Sequence, residues 1–283
     1  MYDIAIVVVL YGNAPHESST LNSLCKINFN KLLISPKLYV RDNSKDGYLI
    51  TEVIQNFDGE VVYDHDGVNL PLAKVYNNAI SFFENSSSLI ILDDDSTPNE
   101  SYFLQVVNFL ECSSEVAVPI IEHSDNIISP GIIKGVKGCT LSKGDLKVNK
   151  ENFGLVAMMS GTIIKTDSLK RHNIVFDERL TIYGVDTRFF LDCHKSGINI
   201  YVLDYCMEHD SALRSKDNDF TSMFFRFSNL MQAQFIIHEN KKFYKLSLFL
   251  YFPFFIIAKV LRLKDVRFLK LFKNYKFFWK LNR

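Results

Sequence analysis

The chain has 283 residues, 47% of them hydrophobic, which suffices for one large packed domain or a domain with an appendage and excludes a disordered chain. Its formal net charge is zero, yet residues 1–240 carry 20 basic against 31 acidic side chains, while residues 241–283 carry 12 basic against one acid. The acidic body argues against nucleic-acid binding, and the basic end points to an anionic surface. Five cysteines without a CxxC pair suggest neither a disulfide framework nor a cysteine zinc site, and suit a reducing cytosol.

The first apolar run, IAIVVVLY at residues 4–11, reads as a central strand. It is only strand length, and Asp3 stands where a signal peptide would carry lysine or arginine. Residues 21–32 suit a helix, and KLYVRDNS (37–44) a second strand ending in Asp42 and Asn43. A helix YLITEVIQNF, a strand GEVVYDHD, a helix LPLAKVYNNAISFFEN and a strand SLIILDDD follow. This alternation predicts an α/β fold with a mainly parallel central sheet flanked by helices. Ligands of such sheets sit outside the carboxyl ends of the strands, so Tyr11, Asp42, Asn43, Asp66 and Asp93, Asp94 and Asp95 are expected on one rim.

SYFLQVVNFLECSS is a further helix and EVAVPII a further strand, and residues 122–152, rich in Gly, Ser, Lys and Asn, read as an irregular, mobile loop. Order resumes with a strand AMMSGTIIK, a short helix DSLKRH, a helix VDTRFFLDCHKSG and a strand INIYVLDYCMEH that ends at His209.

A boundary is expected at residue 240, with a basic, aromatic-rich tail over 241–283. KLSLFLYFPFFIIAK holds 13 uncharged residues between Lys245 and Lys259, short of the ~20 that span a bilayer. Beyond it, Leu261, Phe268, Leu271, Phe272, Tyr275 and Trp279 recur at helical spacings, and Arg267, Lys270, Lys273 and Lys276 at every third residue. That is the pattern of an amphipathic helix lying in an anionic membrane interface. A packing arm against another subunit, as in a homodimer, is the alternative.

Three consecutive carboxylates in ILDDDS must be solvated, paired or gathered around a cation, since an unpaired buried charge is costly. The DxD spacing lets Asp93 and Asp95 reach one divalent ion directly or through water. A solvated turn capping the next helix is the plainer account, as Ser96, Thr97 and Pro98 follow. GxGxxG, P-loop and GxSxG patterns are absent, which argues against a dinucleotide dehydrogenase, a kinase and an α/β-hydrolase.

The ordered set IAIVVVLYG, VRDNSKDG, NLPLAKVYNNAI, ILDDDS, MMSGTIIK, FDERLTIYGVDTRFFLDCHKSG and YCMEHDS, over about residues 3–212, resembles the family-2 glycosyltransferases. Within them it is similar to the rhamnosyl- and galactofuranosyltransferase-like enzymes of bacterial surface polysaccharide (O-antigen or capsule) assembly. The resemblance implies a GT-A nucleotide-diphospho-sugar transferase fold over residues 1–240, with the amphipathic helical tail outside it. It implies that Tyr11 and Asp42 hold the base and ribose of a nucleotide-sugar donor, and that Asn69, Lys74 and Asn78 close over it. Asp93 and Asp95, with His209 as a third ligand, would coordinate Mg²⁺ or Mn²⁺ on the diphosphate, and Asp94 would stand beside them on the donor side. Asp186 in YGVDTRF falls at the general-base position, as inverting transfer requires. Val185 and Arg188 stand where family members often carry a second acid, and Arg188 is expected either to bind an acceptor anion or to pair with Asp192. The implied protein is a cytoplasmic enzyme, peripheral on the inner face of the cell membrane, that transfers a UDP- or dTDP-linked sugar to a lipid-linked saccharide. A nucleotidyltransferase of related fold and a non-catalytic nucleotide-sugar-binding assembly protein are the alternatives.

Overall fold

The computed structural model describes residues 1–48, 52–124, 126–208, 219–240 and 242–281. The unbroken apolar run near the N-terminus forms β1 (Tyr2–Leu10), followed by α1 (Ser19–Leu24), whose N-cap Ser18 accepts a hydrogen bond from the Leu21 N–H. Then come β2 (Ile34–Asp42), α2 (Glu52–Gln55), β3 (Glu60–Asp64), α3 (Leu72–Phe82), β4 (Ser88–Asp93), α4 (Glu100–Leu110) and β5 (Val116–His123). The 122–152 region contributes β6 (Asn126–Ser129), β7 (Gly131–Lys134), β8 (Lys137–Thr140) and β9 (Lys150–Asn152). It is therefore not the irregular loop expected from its composition. Strands of three or four residues around Gly135, in the left-handed region at φ +66°, are too short to show a period in the sequence. The remainder is β10 (Leu155–Val156), β11 (Thr162–Lys165), α5 (Thr166–His172), α6 (Val185–Lys195), β12 (Ile200–Glu208), α7 (Phe220–Ile237), α8 (Lys242–Leu263) and α9 (Leu271–Leu281).

Among the described residues nine strands form one sheet, in the order β3-β2-β1-β4-β11-β5-β12-β9 with β6 paired to β5. β3, β2, β1 and β4 run parallel, and so do β5 and β12, while β11 is antiparallel to both its neighbours. This is the mainly parallel α/β sheet expected from the alternation. β10, β7 and β8 make a small separate antiparallel sheet.

Each central strand is buried on both faces, which is why β1 needs no polar alternation. Ile4, Ile6 and Val8 pack with Leu21, Leu24 and the α4 residues Tyr102, Phe103 and Val106 on one face. Ala5 and Val7 pack with α3 and the larger cluster containing Phe176, Phe189 and Phe190 on the other.

The last three helices form a third cluster, with Met231 and Phe235 of α7, Leu248, Phe252 and Ile256 of α8, and Leu271, Tyr275 and Phe278 of α9. This revises the expected membrane face of the tail. Phe268, Leu271 and Tyr275 are buried inside the protein because α7 and α8 cover the apolar side of α9. Most of the apolar surface that remains open belongs to α8, with Val266 and Leu269 just beyond it and Phe225 on α7 also exposed. The helix is also longer than the uncharged run suggested: Phe243–Leu263 is long and apolar enough to cross a membrane by length and composition, with 17% of its most apolar window buried.

Candidate active site

Strand register builds the rim. Leu10 pairs with Asp42 and Val9 with Asp93, so Tyr11, Asp42 and Asp93 end their strands within one residue of each other. β11 enters from the same edge through Met158, Met159, Ser160 and Gly161. Gly161 has φ +75°, and a Cβ there would lie 2.6 Å from the Pro119 ring, so the turn requires glycine. The Ser160 hydroxyl is 2.6 Å from that of Ser96 and accepts from the Asp93 N–H at 3.3 Å, while Thr20 Oγ1 donates to the Asp93 carbonyl at 2.5 Å. The backbone of the acidic turn is thus clamped from both sides by hydroxyl groups.

On the β2 side the pattern VRDNS works as scaffolding. Asp42 is fully buried and does not face the cleft, contrary to the direct donor contact expected of it. Its oxygens accept from the Tyr63 hydroxyl (2.6 Å) and the Ser44 N–H (2.8 Å), and Ser44 in turn accepts from the Gly12 N–H (2.8 Å). Burial alone would raise the Asp42 pKa, but the bonds from Ser44 and Tyr63 outweigh it and hold the carboxyl below its ordinary range, while Tyr63 is pushed to about 12. Arg41, also buried, pairs with Asp64 and Asp66 and donates to the Val68 carbonyl (2.7 Å) and Asn43 Oδ1 (3.0 Å). Asn43 exchanges bonds with the Leu70 backbone (2.9 and 3.2 Å). These contacts fix the exposed loop carrying Asn69 and leave Tyr11, 66% exposed, as the open aromatic surface on the rim.

α3 turns Leu72 and Tyr76, one helical turn apart, into the cleft. Asn78 and Lys74 each lie two positions from Tyr76, roughly 200° around the helix, and both are exposed. Asn78 therefore lies on a different face of α3 from the two residues that line the cavity. Neighbouring Asn77 has a structural task, exchanging hydrogen bonds of 3.0 Å with the Phe176 backbone and donating to Glu178.

Asp93 and Asp186 line one cavity of about 400 Å³ together with Leu72, Tyr76, Met159 and Tyr183. Asp186 also borders a second, of about 300 Å³, walled by the β7–β8 hairpin, and the two cavities share Ile128 and Met158. The Tyr76 hydroxyl feels both carboxylates: burial first, then Asp93 and Asp186, raise its pKa well above normal. Burial also raises Asp186, against a 2.6 Å hydrogen bond that its carboxylate accepts from the Thr187 N–H. Asp94 is raised by burial and then by the charge of Asp95, with Asn13 donating to it at 3.3 Å as partial relief. Burial raises the Tyr183 hydroxyl, and the charge of Arg226 on α7 opposes that shift.

α6 is held by charge. Arg188 bonds Asp192 at 2.6 Å and lies 3.7 Å from Asp177 and 3.5 Å from Glu239, and Arg179 bridges the same Asp177 and Glu239. Of the two roles expected for Arg188, pairing with Asp192 is the one observed. Gly184, at φ +81°, begins the helix, and a Cβ there would lie 2.9 Å from both Ala233 and Ile237 of α7.

His209 lies outside the described residues, so the third expected metal ligand has no position here. Among the described residues no group of three His, Cys, Asp or Glu side chains forms a site able to hold a metal. The donor chemistry still fits a hard cation shared with a ligand, because Mg²⁺ is commonly held by one or two carboxylates with phosphate oxygens and water completing its shell. Asp93 and Asp95 are the residues that would supply those carboxylates.

No family model matches the sequence, and no curated protein matches it significantly. Solved structures do. S. aureus TarS 1-349 superposes with a TM-score of 0.61 at 16% identity over 99% of this chain and 80% of its own. Its complex with UDP-GlcNAc gives 0.54 at 18% over 85% and 67%. GalNAc-T7 with UDP, GalNAc and Mn²⁺ gives 0.58 at 12% over 84% of this chain and about half (51%) of that one. These likenesses establish the fold, which is the GT-A fold that the sequence resemblance implied.

Proposed function

We propose that the chain is an inverting, metal-dependent glycosyltransferase acting on a nucleotide-sugar donor. The observation that carries this reading is that Asp93, at the end of β4, and Asp186, at the head of α6, line one cavity while Asp186 alone also borders a second. A single carboxylate between two cavities suits a base that meets the acceptor on one side and the sugar on the other. The GT-A fold supports the reading, as do solved neighbours carrying UDP, UDP-GlcNAc, or UDP with GalNAc and Mn²⁺.

The donor diphosphate lies at the β4 rim, with the base against exposed Tyr11 and the sugar in the first cavity against Leu72, Tyr76 and Tyr183. Asn69 closes the donor side, and Asp42 acts through the loop it holds. When bound, Mg²⁺ or Mn²⁺ held by Asp93 and Asp95, with His209 as the proposed third ligand, would neutralise charge on the leaving diphosphate. Asp186 accepts the proton of an acceptor hydroxyl as that oxygen attacks the anomeric carbon opposite the diphosphate. A glycosidic bond forms, the bond to the diphosphate oxygen breaks, and the nucleoside diphosphate departs with that electron pair. Burial assists by making the Asp186 carboxylate more basic.

The sequence resemblance extends the proposal to UDP- or dTDP-linked galactofuranose or rhamnose, a lipid-linked saccharide acceptor, surface polysaccharide assembly, and a peripheral position on the inner face of the cell membrane. The test is a thermal-shift panel of UDP- and dTDP-sugars with and without Mn²⁺. A ligand at a hundredfold excess over its Kd stabilises the fold by ~2.7 kcal/mol. Stabilisation by one sugar nucleotide only with metal is expected; none from any member of the panel would overturn the reading.

A further inference from the structure

α8 has two apolar faces, and this chain uses one. Leu248, Phe252 and Ile256 are at most 1% exposed in the cluster with α7 and α9. On the opposite side Phe243, Leu246, Leu250, Phe254, Ile257 and Leu261, spaced by three and four residues, are 47% exposed or more, with Phe243 at 77% and Phe254 and Leu261 at 72%. At 1.5 Å per residue the stripe runs roughly 27 Å, and at 100° per residue it spans about 80° of the helix. No charged residue occurs between Lys245 and Lys259. A stripe of this size on a soluble surface marks an interaction site.

Charge identifies the occupant. The segment from Lys241 onward has 12 basic residues and one acid, and Arg262, Lys264, Arg267 and Lys270 are exposed where the stripe ends. A second copy would bring two such basic ends together, whereas an anionic bilayer complements both the charge and the apolar stripe. Packing fixes the geometry. Although α8 is long enough to span, its inner face is locked against α7 and α9, so crossing a bilayer would strip that cluster or carry the exposed Lys273 and Lys276 of α9 into hydrocarbon.

The helix is also joined to the site. Val136, in the turn between β7 and β8, packs on the α7–α9 cluster, and Lys137 Nζ lies 5.4 Å from the centre of the Tyr251 ring on α8. The strands of that hairpin wall the second cavity beside Asp186 through Gly131, Ile132, Gly138, Cys139 and Thr140. We infer that the outer stripe of α8 lies flat in the headgroup layer of an anionic bilayer, and that the β7–β8 hairpin turns the second cavity toward a saccharide carried by a lipid of that bilayer. The bilayer contact stands without the transferase reading; the identity of the cavity's ligand rests on it.

The experiment uses the full chain and vesicles of phosphatidylcholine with and without phosphatidylglycerol. Co-sedimentation with the anionic vesicles, release by high salt and at least tenfold weaker binding by Leu250→Ser/Phe254→Ser at unchanged thermal stability are expected. Equal binding by the variant overturns the assignment of the face. Retention in the pellet through alkaline carbonate overturns the flat geometry. A wild type that ignores vesicles but dimerises through the stripe overturns the choice of occupant. In parallel, a membrane-impermeant maleimide read by mass spectrometry should alkylate Cys139 at least fivefold more slowly on vesicles, with Cys25 as the internal reference. An unchanged Cys139 rate overturns the orientation of the cavity. Neither arm uses a donor, so both are independent of the thermal-shift outcome.

Discussion

Replacing Asp186 with Asn separates the two roles open to a carboxylate in the first turn of a helix. As a general base, Asp186 should contribute 10²- to 10⁴-fold, about 3–5 kcal/mol of transition-state stabilisation. As a plain partner of the helix dipole it would stabilise the fold by about 0.3–1 kcal/mol. The structure weighs these against burial, which raises the Asp186 pKa despite the bond from the Thr187 N–H. For an acid with a raised pKa, the folded protein holds the proton more tightly than the unfolded chain. The stability this group contributes is then full below the ordinary carboxyl range and is lost as pH rises through its folded value. Asn keeps the oxygen that accepts from Thr187 and removes the penalised charge. The variant should therefore lose 10²- to 10⁴-fold in transfer and gain thermal stability at pH 8, with the gain vanishing at acid pH. For a chain of this length each kcal/mol moves Tm by roughly 2 °C. Initial-rate assays and pH-dependent scanning calorimetry read the two effects. Full transfer activity, or a lower Tm at pH 8, would refute the assignment and return Asp186 to the helix dipole.

Two further expectations concern the scaffold. Phe252→Ala should cost about 3–5 kcal/mol in urea denaturation, because the ring is 1% exposed and meets Phe235 at 5.4 Å and Tyr251 at 5.5 Å; a loss below about 1 kcal/mol would contradict that packing. Gly184→Ala should lower both Tm and turnover, since the new methyl group meets Ala233 and Ile237 at 2.9 Å on a backbone at φ +81° and pushes the Asp186 helix off α7. Unchanged values would show that α6 does not depend on that contact.

Much of the rim was legible because strand ends are local signals. The run before Asp93 is apolar and continuous, the β-rich LYV before Arg41 and Asp42 is a shorter version of the same signal, and parallel register to β1 then places both strand ends side by side. Helix faces were less legible. Asn78 reads as a donor-side residue from its motif, Leu72 and Tyr76 line the cavity, and the two positions between Tyr76 and Asn78, which turn them to different faces of α3, carry no signal in the sequence. Asp42 reads as a ligand contact in one dimension, whereas the partners that consume it, Ser44 and Tyr63, include one from the next strand over. The β7–β8 hairpin left no period in four-residue strands, and its contact with α8 spans over a hundred residues of chain. The tail shows the same limit: Phe268, Leu271 and Tyr275 have the spacing of a membrane face, and only the fold reveals that α7 and α8 already cover them.

The central claim is that the β4 rim and Asp186 form one site for a nucleotide sugar. The most direct test is calorimetric titration of the sugar nucleotide selected by the thermal-shift panel, with Mn²⁺, into the wild type, Asp93→Asn and Asp186→Asn. Metal-dependent binding by the wild type, at least tenfold weaker binding by Asp93→Asn and near-normal binding by Asp186→Asn would fit a donor held at the rim and a base that acts only in transfer. Equal affinity in the wild type and Asp93→Asn, with or without metal, would contradict it.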